Sequence, residues 1–482
     1  MNARSICCAT VLALSVLCTG CWDATEIDRL AIVSASGLDL VQPDPESPPL
    51  VQGTLQIARA SEMGSTGGGS PTTTTGSSDA FILEQAKGEN ALEPFDTIRK
   101  RLSRKLFLGQ RRVIVIGEDY AKHGVYDLVD EVIRNPQSRL RTYVVIAYHG
   151  TAESILELPY ALNRLPADAI AEIEQQGATP EIDAKEFIEK LVSKGDTFAM
   201  GIQKVQSNPD SSDASTSTFQ LNQIAIFRAD KLVGWLEGPT FQGFLWIYGR
   251  IKRDDTTVRI KGVPGYLTGR MLSIRTERSI SIVHGRPQIN IHTRTQYDIA
   301  ENGTPMNLND PINVTKVRNA IQQEILSQIK STMDTLQHQY VSDPFGFAEQ
   351  LHKRDPRAWE KVHEDWHSVY SKTPVVITAD VEIRNSGLTG PRCASPRGKH
   401  VNRRTRLMFA SILCLAIILV VTFKMDYHML VTAGSKRERI VYGTMFTIGF
   451  IVTAIYVCSP TLPDPLRFLE GPIKPLTAWS IS

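Results

Sequence analysis

Between Trp22 and Arg392 the chain has no cysteine at all. That absence excludes a disulfide framework and a thiolate metal site from most of the sequence. The seven cysteines (Cys7, Cys8, Cys18, Cys21, Cys393, Cys414 and Cys458) all lie in or beside the three most apolar stretches, at 6–17, 407–423 and 440–457. A long block of single-sign charge is also missing before residue 390, and 53 Lys plus Arg nearly balance 51 Asp plus Glu. No nucleic-acid footprint is therefore indicated. At 482 residues the chain exceeds one ordinary core, so two or three domains are expected.

What is present begins at the N-terminus. One early cation, Arg4, precedes an apolar run from Ile6 to Leu17 that is short for a bilayer span, the layout of a secretory signal over 1–20. Thr19 and Gly20 before Cys21 indicate a bacterial lipobox, in which the Cys21 thiol is acylated and the mature chain starts there. Two acyl chains anchor stably because each buried methylene contributes about 0.8 kcal/mol. The pattern departs from the usual one in placing Cys18 where leucine normally stands, with Leu17 one step early. An ordinary signal peptide or an N-terminal membrane anchor is the alternative.

In the first domain, assigned to 21–206, "AIVSASGLDL" (31–40) and "VQGTLQIARA" (51–60) read as a hairpin across a Pro-rich turn. Residues 61–80 offer nothing to bury and are expected to form a flexible loop. Leu92, Phe95, Ile98, Leu102 and Leu106 predict an amphipathic helix, "RVIVIG" (112–117) a buried strand, and Val125, Leu128, Val129, Val132 and Ile133 a second helix. With "RTYVVIA" (141–147) this gives a strand, helix, strand unit in a mixed α/β layer, closed by a helix over 183–194. Residues 207–218 read as a linker.

The second domain, 219–388, starts with a hairpin at 221–236. Ile289, Ile291, Thr293, Thr295, Tyr297 and Ile299 alternate with polar residues, and 271–283 is the natural partner strand through "HGRP". Val317, Ile321, Ile325, Ile329, Met333 and Leu336 predict a long helix across that sheet. A shorter helix after Pro356 is expected to bury Trp359, Val362, Trp366 and Val369, and 374–383 adds a strand. The fold class is α+β, with an antiparallel sheet and helices on one face in this domain.

Taken in order, "GCWDATEIDRLAIVSASGLD", "LFLGQRRVIVIGEDYAKHGVYDLVDEVIRNPQSRLRTYVVIA", "AIFRADKLVGWL" with "GFLW", and "DPFGF" with "DPRAWEKVHEDWHSVY" resemble the Ger(x)C family, the lipoprotein C subunits of spore germinant receptors. The resemblance covers about 22–388. It implies a non-enzymatic subunit held by lipid on the outer face of the spore inner membrane, beside integral-membrane A and B subunits, in a receptor for small nutrients. It places acylation at Cys21, with Trp22, Asp23 and Glu26 opening the mature chain. It implies no cofactor and transfers no catalytic residue.

One constellation points to an enzyme. "HEDWH" (363–367) fits a zinc protease helix, with His363 and His367 as ligands and Glu364 as base. Against it, Asp365 adds a carboxylate inside the motif, His367 falls at the edge of the buried stripe, and the nearby Glu382 lies in a predicted strand. His123, His149, His284 and His292 are isolated and read as surface or capping histidines. Phe241, Phe244, Trp246 and Tyr248 read as sheet core, with a ligand-lining role as the alternative.

Residues 389–482 form a basic linker and a predicted transmembrane hairpin, 407–423 and 440–457. With Cys21 outside, the loop carrying Lys436, Arg437 and Arg439 would be cytoplasmic, yet Arg392, Arg397, Lys399, Arg403, Arg404 and Arg406 would lie outside, against the positive-inside rule. Export of the large domain is taken to decide the orientation, since long domains translocate largely regardless of charge. Besides the receptor subunit, an extracytoplasmic solute-binding lipoprotein and a zinc hydrolase are the alternatives.

Overall fold

The computed structural model describes residues 26–44, 46–59, 80–160, 162–192, 196–206, 217–252, 254–386 and 444. Cys21, all of the expected 61–80 loop but Ala80, and the expected transmembrane hairpin lie outside these residues. Among the described residues no helix is long and apolar enough to cross a membrane.

A nine-stranded sheet organises the first half. Its centre is parallel: β1 (Leu30–Val41), β5 (Val113–Ile116), β6 (Tyr143–Ala147) and β7 (Phe198–Gln206) lie side by side. Every residue of β5 is buried, as an unbroken Val-Ile run requires when helices cover both faces. Antiparallel wings extend it, β2 (Leu50–Ala58) and β3 (Phe81–Gly88) beyond β1, and β8 (Ser217–Arg228) and β9 (Lys231–Leu236) beyond β7. The hairpin at 221–236 thus pairs into this first sheet, not into the second as its sequence position implied. Gln206 pairs with Ser217, so the segment read as a linker joins neighbouring strands of one sheet.

Helices return the chain between parallel strands. They are α1 (Glu93–Arg101), α2 (Glu118–His123), α3 (Tyr126–Arg134), α4 (Ala152–Leu156), α5 (Pro166–Gln175) and α6 (Ala184–Val192). The helix expected to reach Leu106 stops at Arg101, because Lys105–Phe107 form β4, which pairs in parallel with Leu30–Ile32 of β1. Pairing to β1 buries Leu106, which the continued helix was meant to do. Val125 just ahead of α3 and Leu128, Val129 and Val132 on it are buried, but Ile133 is 56% exposed.

The second sheet runs β10 (Asp255–Val258), β11 (Leu267–Val283), β12 (Arg286–Asn302) and β13 (Val375–Asn385). β11 and β12 form the expected antiparallel hairpin, turning at His284-Gly285. β13, however, pairs with β12 in parallel, so this sheet is mixed and not purely antiparallel. Alternation fixes which face of a strand is buried and leaves its direction open. Two helices pack together here, α7 (Gly238–Tyr248) and α8 (Pro311–Asp334), the latter ending in a π turn, Thr335–Tyr340. Phe241, Phe244 and Trp246 are buried on α7, so these aromatics are helical core where sheet core was expected.

Close approach fixes the α7–α8 contact. A Cβ on Gly243 would overlap the Gln328 carbonyl and the Thr332 hydroxyl of α8. On either side Trp246 Nε1 donates to Gln328 Oε1 at 2.6 Å and Thr332 Oγ1 donates to the Thr240 carbonyl at 2.8 Å. Gly243→Val is therefore expected to destabilise the chain by about 1–3 kcal/mol through overpacking. Gly150→Ala, whose Cβ would find its nearest neighbour at 3.5 Å, should stay within about 0.5 kcal/mol of the parent. Thermal unfolding of both variants checks this.

Candidate functional site

Three polar assemblies stand out. In open α/β sheets, ligands bind beyond the carboxyl ends of the parallel strands, where successive connections diverge. Here β1 leads outward to β2 while β5 leads the other way to β6, so the divergence lies between Asp39 and Gly117. The chain itself fills that crevice. Asp39, 2% exposed, accepts hydrogen bonds from the backbone N–H groups of Ala152 (2.6 Å) and Glu153 (3.0 Å) at the start of α4. A Cβ on Gly117 would overlap this carboxylate, which is why glycine stands there. Burial pushes the Asp39 carboxyl up to about 6, against the pull of the two backbone donors.

Beside it, Glu118 accepts from Lys122 Nζ (2.8 Å), Trp235 Nε1 (3.4 Å) and the His149 backbone N–H (2.6 Å), with His149 Nδ1 at 3.0 Å. Burial works to raise this carboxyl, but the Lys122, Trp235 and His149 donors together hold it below the usual range. Double contact with Glu118 also holds His149 at φ 49°, in the left-handed region that non-glycine residues enter rarely. The isolated histidine is thus a fastener of the loop after β6, within the surface or capping role expected of it.

The second assembly gathers around Asp196, just ahead of β7. Its oxygens accept from Ala229 N (3.0 Å) in the β8–β9 turn and from Asp343 N (2.8 Å), and they meet His367 Nε2 at 3.2 Å. Asp343 in turn caps α9 (Phe347–Arg354), accepting from Phe347 N (3.0 Å) and Ala348 N (2.7 Å). Complete burial pushes Asp343 up to about 7 in spite of those two donors, and the hydrogen bond to Asp196 raises His367.

This geometry overturns the single helix expected after Pro356. The chain instead forms α10 (Pro356–Trp359), a turn at 360–365 and α11 (Trp366–Lys372). His363 sits in the turn, its Nδ1 3.1 Å from the Glu360 carbonyl, while His367 on α11 reaches Asp196. The two histidines no longer share a helical face, so the geometry a zinc helix needs is not formed. Among the described residues no group of three or more His, Cys, Asp or Glu is arranged to hold a metal. The break leaves Trp359 and Trp366 buried against each other, ring centroids 5.6 Å apart.

The third is a cleft of about 530 Å³ with walls of mixed sign, Arg141, Arg250 and Lys252 against Glu181, Asp183 and Glu186. Lys252 Nζ lies 3.7 Å from Glu181, so the walls partly neutralise each other. Tyr248, of the expected aromatic group, lines it. Cys21, the one expected modification site, precedes the first described residue, Glu26.

The chain is therefore a two-sheet α+β protein in which the buried carboxylates Asp39, Asp196 and Asp343 accept from backbone N–H groups. Residues 23–204 match the family described as the spore germination protein N-terminal domain, and residues 222–387 match the spore germination B3/GerAC-like C-terminal family. The chain belongs to this spore germination family. Among its relatives, Bacillus subtilis YfkR is 26% identical over 388 residues, covering 79% of this chain and 96% of the relative. Spore germination protein KC of Bacillus subtilis is 24% identical over 401 residues, covering 79% and 95%. The crystal structure of the GerBC protein aligns with a TM-score of 0.43 and 18% identity, over 75% of this chain and 100% of that one.

The raised acids set a pH dependence. A carboxyl held above its unfolded value binds more protons folded than unfolded, so stability falls as pH rises from about 4 through the folded value. For Asp343 that window closes at about 7, and for Asp39 and Asp254 at about 6. His367, also raised, loses its contribution as pH climbs past its folded value. Glu118, depressed, acts in the opposite sense and only toward acid. Unfolding free energy should thus drop between about pH 4 and 7, and Asp343→Asn should remove more than about 1.4 kcal/mol of that drop, the worth of one pKa unit. An equally steep fall in the variant would contradict this.

Proposed function

We propose that this chain is a non-enzymatic C-type subunit of a spore germinant receptor. It is anchored by lipid at Cys21 to the outer face of the spore inner membrane and acts with integral-membrane A and B subunits in nutrient-triggered germination. The observation that carries the reading is the pair of family matches, in order, over 23–204 and 222–387. The relatives named for spore germination are matched over nearly their whole length. The geometry supports the non-enzymatic part, since Asp39, Glu118, Asp196 and Asp343 spend their oxygens on backbone and fixed side chains. The segments 407–423 and 440–457 are proposed as a second membrane attachment, and the division at 206/219 as a sequence boundary that the first sheet crosses through the pairing of β7 with β8. The mixed-sign cleft favours one second reading, a solute-binding lipoprotein, because a small molecule with charges of both signs would find partners on both walls.

Labelling of spores with a fatty acid analogue tests the anchor. Label is expected on the parent chain and lost in Cys21→Ala; an unlabelled parent, or label retained in the variant, would count against it. Co-purification from spore membranes tests the partnership. The A and B proteins should be recovered with the parent chain, and recovery of the chain alone, with a small molecule bound, would favour the second reading.

A further inference from the structure

Charge is distributed unevenly between the two ends of the first sheet. At the carboxyl ends of the parallel strands Asp44, Glu46 and Asp119 are exposed, with the cation Lys122 3.8 Å from Asp119. At the amino ends the order is reversed. Helix α1 runs back from the carboxyl end of β3 and delivers Lys100 and Arg101, then Arg104 and Lys105 at the start of β4, all four exposed. The loop before β6 adds exposed Arg139 and Arg141 at the same edge. Of the acids there, Asp96 pairs with Arg99, Glu26 with Arg29 (3.5 Å) and Asp168 with Arg112 (3.6 Å), Asp28 is exposed just ahead of β1, and Glu181, Asp183 and Glu186 share the cleft with Arg141, so the uncompensated charge centres on the α1–β4 segment. Arg101 donates to the Gln85 carbonyl, so its charge is not neutralised. Among the described residues no carboxylate pairs with Lys100, Arg104 or Lys105.

This basic edge lies where the chain enters the sheet. Lys105 is in register with Leu30, the first residue of β1. Five peptide steps separate Cys21 from Glu26, and a fully extended chain of that length spans at most about 18 Å. An anchor at Cys21 thus keeps the amino edge within a short tether of the lipid, and the acidic opposite edge faces away from it. A basic residue near an anionic surface gains about 1 kcal/mol, and the attraction decays within a Debye length of about 8 Å at physiological ionic strength. A single attachment point leaves a body free to swivel; a charged face next to that point fixes its orientation.

We infer that the amino edge of the first sheet, centred on Lys100, Arg101, Arg104 and Lys105, rests on an anionic phospholipid surface. This rests on the anchoring at Cys21 proposed above. The test uses the full, lipid-modified chain in vesicles of phosphatidylcholine with or without phosphatidylglycerol, treated with a water-soluble amine reagent and digested for mass spectrometry. Labelling of Lys100 and Lys105 is expected to slow about threefold or more when phosphatidylglycerol is present, and the slowing should disappear at about 1 M salt. Lys316 and Lys330, exposed on α8, should label at the same rate in both vesicles. In Arg101→Glu/Arg104→Glu the protection should shrink; full protection in that variant, or equal rates in the two vesicle types for the parent, overturns the inference. The Cys21 peptide of the same digest separates the two readings. An acylated Cys21 with unprotected lysines overturns the charged face alone, whereas a bare thiol with protected lysines overturns the anchor and keeps the face.

Discussion

The carboxylate of Asp196 is the point on which the described body depends. One side chain, buried and two residues ahead of β7, accepts from the β8–β9 turn, from the loop at Asp343 and from α11. Those segments are separated from it by 33 to 171 positions in the sequence. Asp343 extends the connection into α9 by capping its first turn. A buried acid chain thus helps tie the first sheet to the C-terminal helices, beside the Tyr340–Trp235 and Ser342–Phe227 hydrogen bonds, with no cysteine available to do it covalently. Removing one partner of such a network leaves the other buried and unsatisfied, which costs more than the intact bonds contribute.

The same logic explains the carboxyl edge of the sheet. A parallel sheet exposes the ends of its strands at a crevice, and an enzyme would leave that crevice open to a ligand. Here Asp39 occupies it and takes the N–H groups that an anionic ligand would otherwise use. Glycine at 117 makes the fit possible, and Glu118 with Trp235 and His149 closes the adjoining loop.

Much of this was legible in the residues. Parallel strands β5 and β6, the β11–β12 hairpin and the buried stripe of α8 follow from apolar runs, alternation and helical spacing, which are local signals. What failed was nonlocal. The hairpin at 221–236 carries nothing that names its neighbour, and only pairing of β7 with β8 shows that it completes the first sheet. β13 has the right faces and an unforeseen direction, because its partner β12 lies some eighty positions away. Leu106 satisfied the helical period of α1 and was claimed by β1 through β4 instead. In "HEDWH" the spacing was read as a helix, whereas a turn lets both tryptophans bury and sends His367 to Asp196.

The four acids that organise the body were missed for a related reason. Asp39 stands between two leucines in a buried strand, and an acid in such a run signals a special role without saying which one. Asp343 precedes a helical segment by four positions and so reads as a plausible cap, yet its pairing with Asp196 is invisible in the sequence. A buried carboxylate in a catalytic crevice and one in a structural clip have the same composition, the same burial and the same raised proton affinity. The difference lies in the origin of the donors. When these are backbone N–H groups of the chain's own helices, as at Asp39 and Asp343, each oxygen is tied to the fold and the acid holds those segments in place.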